Sequence, residues 1–328
     1  MSLDADSIVD RRRMRRKLTF WRVFAVLFAI CAVIAMSAAV RAPGTDMITG
    51  ATGASIARVT ITGLIRTDRE RVEALERLGK SQAKAVIVHI NTPGGTTSGS
   101  EELHDSLKRL KELKPLVVVV DGLAASGGYI AAIAADHIIA GETSLVGSIG
   151  VLFQYPNFTD VLKTIGIKVE EVKSSPLKAA PNGFEPTSPE ARAAIEAIVM
   201  DSYAWFKDLV KSRRQLDDAM LERVADGRVF TGRQGVGLKL VDQLGDERTA
   251  IEWLAKEKNI DPKTPVRDFR LRDRFSDLPF LHTAAAVTLD ALGLGSVARH
   301  IEEWGGVQAF ERLNLDGLLA LWHPASAN

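Results

Sequence analysis

The pattern of apolar and polar positions divides the chain into a basic start, one long uncharged run and an alternating body. Val23–Val40 is an apolar run of 18 residues without a charge. In the body, Ala85–Ile90 and Leu116–Val120 are short apolar runs, which predict strands buried on both faces of a sheet. Helical periodicity separates such runs. This alternation predicts right-handed βαβ units and a mostly parallel sheet, that is, an α/β fold.

The same periodicity predicts the remaining elements. The predicted helices are Asp68–Lys80 with Asp68 as N-cap, Gly99–Leu113, Gly127–Ala135, Asn157–Ile165 and Pro189–Arg213. The remaining predicted strands are Val59–Thr62, His137–Ala140, Val146–Phe153 and Lys168–Lys173. Near the end, short amphipathic pieces are predicted at Leu278–Leu294, Val297–Trp304 and Phe310–Trp322. We expect these pieces to pack on the domain or on a neighbouring subunit; contact with a membrane surface is the alternative, which their acidic residues disfavour.

The basic cluster at the start predicts the orientation of the long apolar run. It consists of Arg11, Arg12, Arg13, Arg15, Arg16 and Lys17. A helix over residues 23–40 is about 27 Å long, close to the roughly 30 Å hydrocarbon core. Because basic flanks stay cytoplasmic, we predict a cytoplasmic segment at 1–22, a transmembrane anchor at 23–40 and a linker at 41–56. The body would then lie on the periplasmic side of a bacterial inner membrane, unless the run is a signal peptide cleaved near Ser37–Ala39.

Composition and charge exclude some classes of function. The net charge of +1 produces no overall field that would attract nucleic acid. The single cysteine, Cys31, excludes a disulfide within the chain and a cysteine-built metal site. Lipid attachment at Cys31 is an alternative, but Phe28–Ile30 fits poorly before a lipidated cysteine.

Two predicted strands end in unusual sequence. Asn91–Gly95 follows one of them, and Asp121–Tyr129 follows the next. Ligands of open α/β sheets collect at the carboxyl ends of strands, so Ser126 is well placed for chemistry. The helix that begins behind it offers free N–H groups, including that of Gly127, for an oxyanion. The structural alternatives are an ordinary strand-to-helix turn at Asn91–Gly95 and a helix N-cap at Ser126.

A serine nucleophile needs a base. The chain's histidines are His89, His104, His137, His282, His300 and His323, and none lies where a Ser-His-Asp arrangement is easy to defend. Lysine is the other known solution, provided that burial favours its neutral form. Lys178 lies among small and apolar residues, but spacing alone does not select it from the chain's other lysines.

Taken together, these segments resemble the signal peptide peptidase A family, which comprises the Ser–Lys serine proteases of peptidase family S49 with the ClpP/crotonase fold. The resemblance covers about residues 56–255. The matching pieces are Asn91–Gly95, Ala124–Tyr129, Gly147–Gly150, Lys178, Ala225–Gln234 and Gly237–Gly245. Their order and spacing make the combination specific.

The resemblance implies a role for each site residue. Ser126 would be the nucleophile and Lys178 the general base. Ser148 would orient the lysine, and the N–H groups of Gly95 and Gly127 would form the oxyanion hole, with Gly94 as the alternative to Gly95. Ser175–Pro176 stands where the family often has Ser-Gly, so Lys173 is the alternative base.

The resemblance also implies architecture and function. We expect repeated β-β-α units in a protease domain at 57–272 and a helical extension at 273–328. The implied activity is hydrolysis of cleaved signal peptides or other unfolded apolar peptides by a homo-oligomeric ring, in which each lysine reaches a neighbour's serine. No metal, cofactor or nucleic acid partner is expected. A catalytically idle membrane scaffold and a crotonase-type acyl-CoA enzyme are the alternatives, and the anchor disfavours the second because CoA is cytoplasmic.

Overall fold

The structure is a computed structural model that describes Trp21, residues 54–271 and residues 318–322. By their contacts the residues form two units, Met1–Ala51 and Thr52–Asn328. The predicted anchor at 23–40 and most of the predicted extension at 273–328 lie outside the described residues. Among the residues that are described, no helix is both long and apolar enough to cross a membrane.

An eight-stranded, mostly parallel sheet forms the centre of the second unit. Six of its strands pair in parallel in the order β10 (Val266–Asp268), β1 (Ile56–Thr62), β2 (Ala85–Thr92), β4 (Leu116–Ala125), β5 (His137–Ala140) and β9 (Gln243–Leu244). Strand β6 (Leu145–Gly147) pairs in parallel with the end of β4, and β8 (Val229–Thr231) pairs antiparallel with β6. A smaller antiparallel sheet has the order β3 (Gly94–Thr96), β11 (Leu318–Leu321) and β7 (Leu152–Phe153). The predicted α/β class with a mostly parallel sheet is confirmed.

Five of the helices between residues 54 and 271 match the predicted ones, and the last three were not predicted. They are α1 (Arg69–Gly79), α2 (Thr97–Leu113), α3 (Gly127–Ala132), α4 (Thr159–Thr164), α5 (Pro189–Arg214), α6 (Asp218–Val224), α7 (Gly232–Gly237) and α8 (Glu247–Lys258). The predicted cap at Asp68 is confirmed, because its carboxylate accepts a hydrogen bond from the Arg71 N–H at 3.1 Å. Ser188 caps α5 in the same way through the Ala191 N–H.

Both faces of the sheet are covered, which explains the uninterrupted apolar runs. In β2, Val86, Val88 and Ile90 face the core shared with α1, α2, α3 and α5. The alternate residues Ala85 and Ile87 face a second core against α8. Because neighbouring side chains of a strand point to opposite faces, a strand covered on both sides carries no polar face.

Two strand predictions are corrected at the carboxyl edge of the sheet. Strand β4 continues to Ala125, since its residues from Leu123 onwards gain β6 as a new parallel partner. The predicted strand Val146–Phe153 is instead two strands, β6 and β7. Gly147 at the end of β6 and Ser148 after it have φ angles of 97° and 52°, which turn the chain out of the extended conformation.

Two further predictions are wrong because the sequence does not show which strands pair with which. Residues 168–173 form no strand, and Val172 is fully exposed, because no neighbouring strand within the described chain pairs with them. Conversely, Leu318–Leu321 belongs to a predicted amphipathic helical piece but is strand β11. It finds pairing partners on both sides, in β3 and β7.

Helix α3 is held at a fixed position by polar contacts at both ends. The buried Tyr129 hydroxyl donates to the carbonyl oxygen of Leu240 at 2.9 Å. At the other end the Arg213 guanidinium donates to the carbonyl oxygens of Ile133, Ala134 and Ala135. The Tyr129 contact joins two of the matching sequence pieces, Ala124–Tyr129 and Gly237–Gly245. Together the contacts hold α3 in place against the sheet.

We expect Tyr129→Phe to lower the free energy of unfolding by about 1–2 kcal/mol, because it leaves the buried carbonyl group of Leu240 without its donor. Urea unfolding of the purified full chain measures the change. Tyr203→Phe is the matched control: its hydroxyl also donates to a backbone carbonyl group, that of Ala225, but at a half-buried position where water can replace it. Equal losses in the two variants would contradict the assigned role of burial.

Candidate active site

Ser126 and Ser148 lie side by side at the carboxyl ends of two neighbouring strands. Ala125 of β4 pairs in parallel with Gly147 of β6, and each serine is the next residue along its chain. The Ser126 N–H donates to the Gly147 carbonyl oxygen at 2.7 Å. Neighbouring strands are about 4.8 Å apart, so the two serines come within reach of a single side chain placed between them.

Ser126 has a strained backbone and a hydroxyl that takes no part in capping. Its φ and ψ angles are 53° and −115°, a region that side-chain-bearing residues rarely adopt. The residue stands at the N-cap position of α3, yet its side chain accepts no hydrogen bond from the helix. The nearest acceptor for Oγ is the Gly150 carbonyl oxygen at 3.5 Å, the limit of a hydrogen bond. The N-cap alternative therefore does not explain this serine.

The backbone of β3 directs the N–H of Gly95, rather than that of Gly94, towards the site. The Gly94 N–H donates to Thr92 Oγ1 at 3.1 Å, and its carbonyl oxygen accepts from the Ile65 N–H. The Thr96 N–H donates to the Ile65 carbonyl oxygen. Gly94 and Thr96 thus use the Ile65 side of β3, so the N–H of Gly95 points to the opposite side, where β11 lies.

Glycine is required at this point because backbones meet there without room for a β-carbon. A methyl group at Gly94 would lie 2.7 Å from the Gly127 nitrogen and would clash with the Ala320 carbonyl oxygen. A methyl group at Gly127 would lie 3.0 Å from that same oxygen. Gly95 has its own constraint, because a methyl group there would overlap the Ile65 carbonyl group. The alternative of an ordinary turn does not account for this close approach.

The structure does not bring the two candidate lysines to Ser126. Lys178 lies in an exposed turn, and among the described residues its ammonium group has no hydrogen bond or ion pair. Lys173 is bound by two carboxylates: its hydrogen bonds to Glu171 and Glu185 raise its pKa. Lys173 is therefore held in the protonated form, which makes it the poorer candidate for a base.

The described histidines are engaged elsewhere. His89 bridges Asp121 and Glu247, with both distances at 2.8 Å. His104 is buried in α2, where desolvation lowers its pKa. His137 stacks on Trp253 at 4.7 Å. The three remaining histidines, at 282, 300 and 323, lie outside the described residues.

The described part of the chain holds no group of three or more His, Cys, Asp or Glu residues that could bind a metal ion. What it assembles is a hydroxyl on a strained turn, a neighbouring hydroxyl and the backbone of Gly94 packed closely against the nitrogen of Gly127. This combination suits attack on a carbonyl group with stabilisation of the resulting oxyanion. Sequence reasoning missed one contributor, strand β11, because Leu318–Leu321 carries no signal that separates a strand from a helix.

Comparisons with known proteins agree with this chemistry. The family model described as peptidase family S49 matches residues 108–261. A putative protease of Synechocystis is 34% identical over 63% of this chain and 76% of its own length. A putative signal peptide peptidase SppA of Enterococcus faecium is 31% identical over 66% of this chain and 67% of its own length. The chain belongs to peptidase family S49, and it is a serine protease.

Two other similarities reach less far. Protease 4 of Haemophilus influenzae is 31% identical over 58% of this chain, which covers 31% of that protein. Among solved structures, ClpP1 of Listeria monocytogenes aligns with a TM-score of 0.41 and 16% identity over 58% of this chain and 92% of its own.

We expect Ser126→Gly to be more stable than Ser126→Ala by about 1 kcal/mol. Both variants lose the hydroxyl, but only glycine adopts the φ and ψ angles of this turn without strain, and that gain exceeds its larger entropy loss on folding. Urea unfolding of the two variants measures the difference. If Ser126→Ala proved the more stable, the turn would not be strained.

Proposed function

We propose that this chain is a membrane-anchored endopeptidase in which Ser126 is the nucleophile and Lys178 the general base. The observation that carries the proposal is the strained, non-capping Ser126 beside the N–H groups of Gly95 and Gly127. Family membership favours a peptidase over the idle scaffold and the acyl-CoA enzyme.

In the proposed reaction, Ser126 Oγ bonds to the carbonyl carbon of the scissile peptide as Lys178 Nζ takes its proton. The oxyanion of the tetrahedral intermediate accepts hydrogen bonds from the Gly95 and Gly127 N–H groups. The intermediate then collapses, the carbon–nitrogen bond breaks, and the lysine returns the proton to the leaving amine. Water then attacks the acyl-enzyme as the same lysine takes its proton. The bond between the acyl carbon and Ser126 Oγ breaks, the lysine returns the proton to Oγ, and the new carboxyl end of the peptide leaves; Ser148 Oγ orients the lysine amine throughout.

The proposed base comes from a neighbouring copy of the chain. Lys178 is exposed in the single chain and lies in a segment, residues 158–184, whose apolar side chains are also exposed. They are Phe158, Val161, Ile165, Ile167, Val169, Val172, Leu177 and Phe184. Such a set of exposed apolar residues is typical of an interaction surface. Packing this segment on a neighbouring chain would bury it and bring Lys178 to the neighbour's Ser126. This contact is heterologous, because it joins two different surfaces, and its repetition by rotation closes a ring of chains.

The proposed substrates are cleaved signal peptides and other unfolded apolar peptides on the periplasmic side of the inner membrane. Two observations support this class. The E. faecium relative bears the name signal peptide peptidase. The uncharged run at 23–40 behind a basic cluster supports an anchor with the body outside, close to where such peptides remain in the bilayer.

We expect Ser126→Ala and Lys178→Ala each to reduce cleavage of an apolar fluorogenic peptide by about 10³-fold or more. Lys173→Ala is the matched control, since its ammonium group is held by carboxylates, and it should retain most of the activity. Turnover close to wild type in either the Ser126 or the Lys178 variant would refute the role assigned to that residue.

Coexpression of Ser126→Ala and Lys178→Ala chains tests whether the lysine acts on a neighbour. In randomly mixed rings, about half the sites carry Ser126 and about half of those face a chain with Lys178, so about a quarter of wild-type activity should return. A lysine that acts within its own chain would leave every site with one group missing, and the mixture would stay inactive.

A further inference from the structure

Thr92, the last residue of β2, has a fully buried side chain whose hydroxyl group is hydrogen-bonded on two sides. Its Oγ1 donates to the carbonyl oxygen of Gly63, in the loop that follows β1. The same atom accepts a hydrogen bond from the Gly94 N–H at 3.1 Å. One hydroxyl group therefore joins the loop after β1 to the start of β3, next to the candidate oxyanion hole.

These bonds fix the backbone on either side of Gly94. Its φ angle is 104°, a conformation that glycine adopts freely, so its own backbone does little to hold the turn. Thr92 Oγ1 holds the peptide group before Gly94, and the Ile65 N–H holds the Gly94 carbonyl oxygen at 2.8 Å. The N–H and C=O groups of a trans peptide point in opposite directions, so the Gly95 N–H is directed away from Ile65. Since Gly63 lies two residues before Ile65, Thr92 Oγ1 also anchors the segment that provides the second bond.

The methyl group of Thr92 faces helix α3. A β-carbon at Gly128 would lie 2.7 Å from Thr92 Cγ2 and 2.9 Å from the Thr92 carbonyl oxygen. Gly128 follows Gly127, the second candidate donor of the oxyanion hole. Valine has the shape of threonine and retains the methyl contact with α3, so Thr92→Val removes the hydroxyl group while keeping the packing.

We propose that Thr92 is a positioning residue of the oxyanion hole, whose hydroxyl group fixes the direction of the Gly95 N–H. This inference rests on the proposed function of the site. Donors stabilise an oxyanion only if they are aimed at the place where its charge develops, and the loss of one donor typically costs about 10²–10³-fold in rate. Thr92 does not touch the substrate in this role; it holds the donor in place before the substrate binds.

We expect Thr92→Val to lower kcat for an apolar fluorogenic peptide by about 10- to 100-fold at nearly unchanged KM, because the Gly95 N–H remains but loses its fixed direction. Thr92→Ser keeps the hydroxyl group and should retain kcat to within about threefold. Ser106→Ala is the control: it removes another buried hydroxyl group, which donates to the Glu102 carbonyl oxygen at 2.8 Å within α2. It should lower stability and leave kcat unchanged.

A pair of inhibitors separates positioning of the donor from a general effect on the fold. Ser126 Oγ adds reversibly to the carbonyl carbon of a peptide aldehyde, and the oxygen of the adduct then occupies the oxyanion hole. The corresponding peptide alcohol forms no adduct. In Thr92→Val the Ki of the aldehyde should rise by about the factor by which kcat/KM falls, while the Ki of the alcohol stays unchanged. An unchanged Ki for the aldehyde, or equal increases for both inhibitors, would overturn the proposal.

Thr92→Ser keeps the test decisive if Thr92→Val folds poorly. A folded Thr92→Ser chain whose kcat falls by more than about tenfold would contradict a role for the hydroxyl group. Ser126→Ala in the same assay reports on the proposed function alone. Turnover that Ser126→Ala abolishes and Thr92→Val retains refutes the positioning role by itself. Turnover that survives Ser126→Ala refutes the proposed function, and the role of Thr92 with it.

Discussion

The close approach of three backbone segments at Gly94, Gly127 and Ala320 is the constraint on which the candidate site depends. A β-carbon on either glycine would push these segments apart. With glycine in place, the start of β3, the start of α3 and strand β11 meet in close backbone contact, beside the candidate nucleophile. Elements at some distance maintain this fit: Tyr129 and Arg213 hold α3 from both ends.

The parallel pairing of β4 with β6 adds the hydroxyl groups to this frame. It sets Ser126 and Ser148 on neighbouring strands, each with a φ angle near 50°. Such angles cost free energy, and the surrounding sheet and core maintain them. The strain has a geometric consequence, because it turns the Ser126 hydroxyl away from the helix that it would otherwise cap. The single chain thus provides a candidate nucleophile and candidate oxyanion donors, while the candidate base Lys178 stays at the surface.

Lys178 and strand β11 both lie outside the central sheet. Lys178 lies among exposed apolar residues that a second copy would cover under the proposed assembly. The groove next to Ser126 is meanwhile lined by β3 and β7, two short strands that pair with the chain's own residues 318–321. The candidate base and the strand between β3 and β7 both come from segments distant in sequence from the candidate nucleophile Ser126.

The sequence by itself determined the α/β class, the approximate bounds of β1, β2, β5 and helices α1 to α5, and the position of Ser126 between a buried strand and a helix, because these follow from local periodicity and turn chemistry. It did not determine the end of β4, the division of residues 145–153 or the strand at 318–321, which depend on which partner each edge finds. The sequence likewise left undecided whether Gly94 or Gly95 offers the candidate oxyanion N–H group, since adjacent glycines cannot be told apart until their hydrogen bonds are known. Tertiary structure decided these points because strand pairing and backbone contact join residues that no local pattern connects.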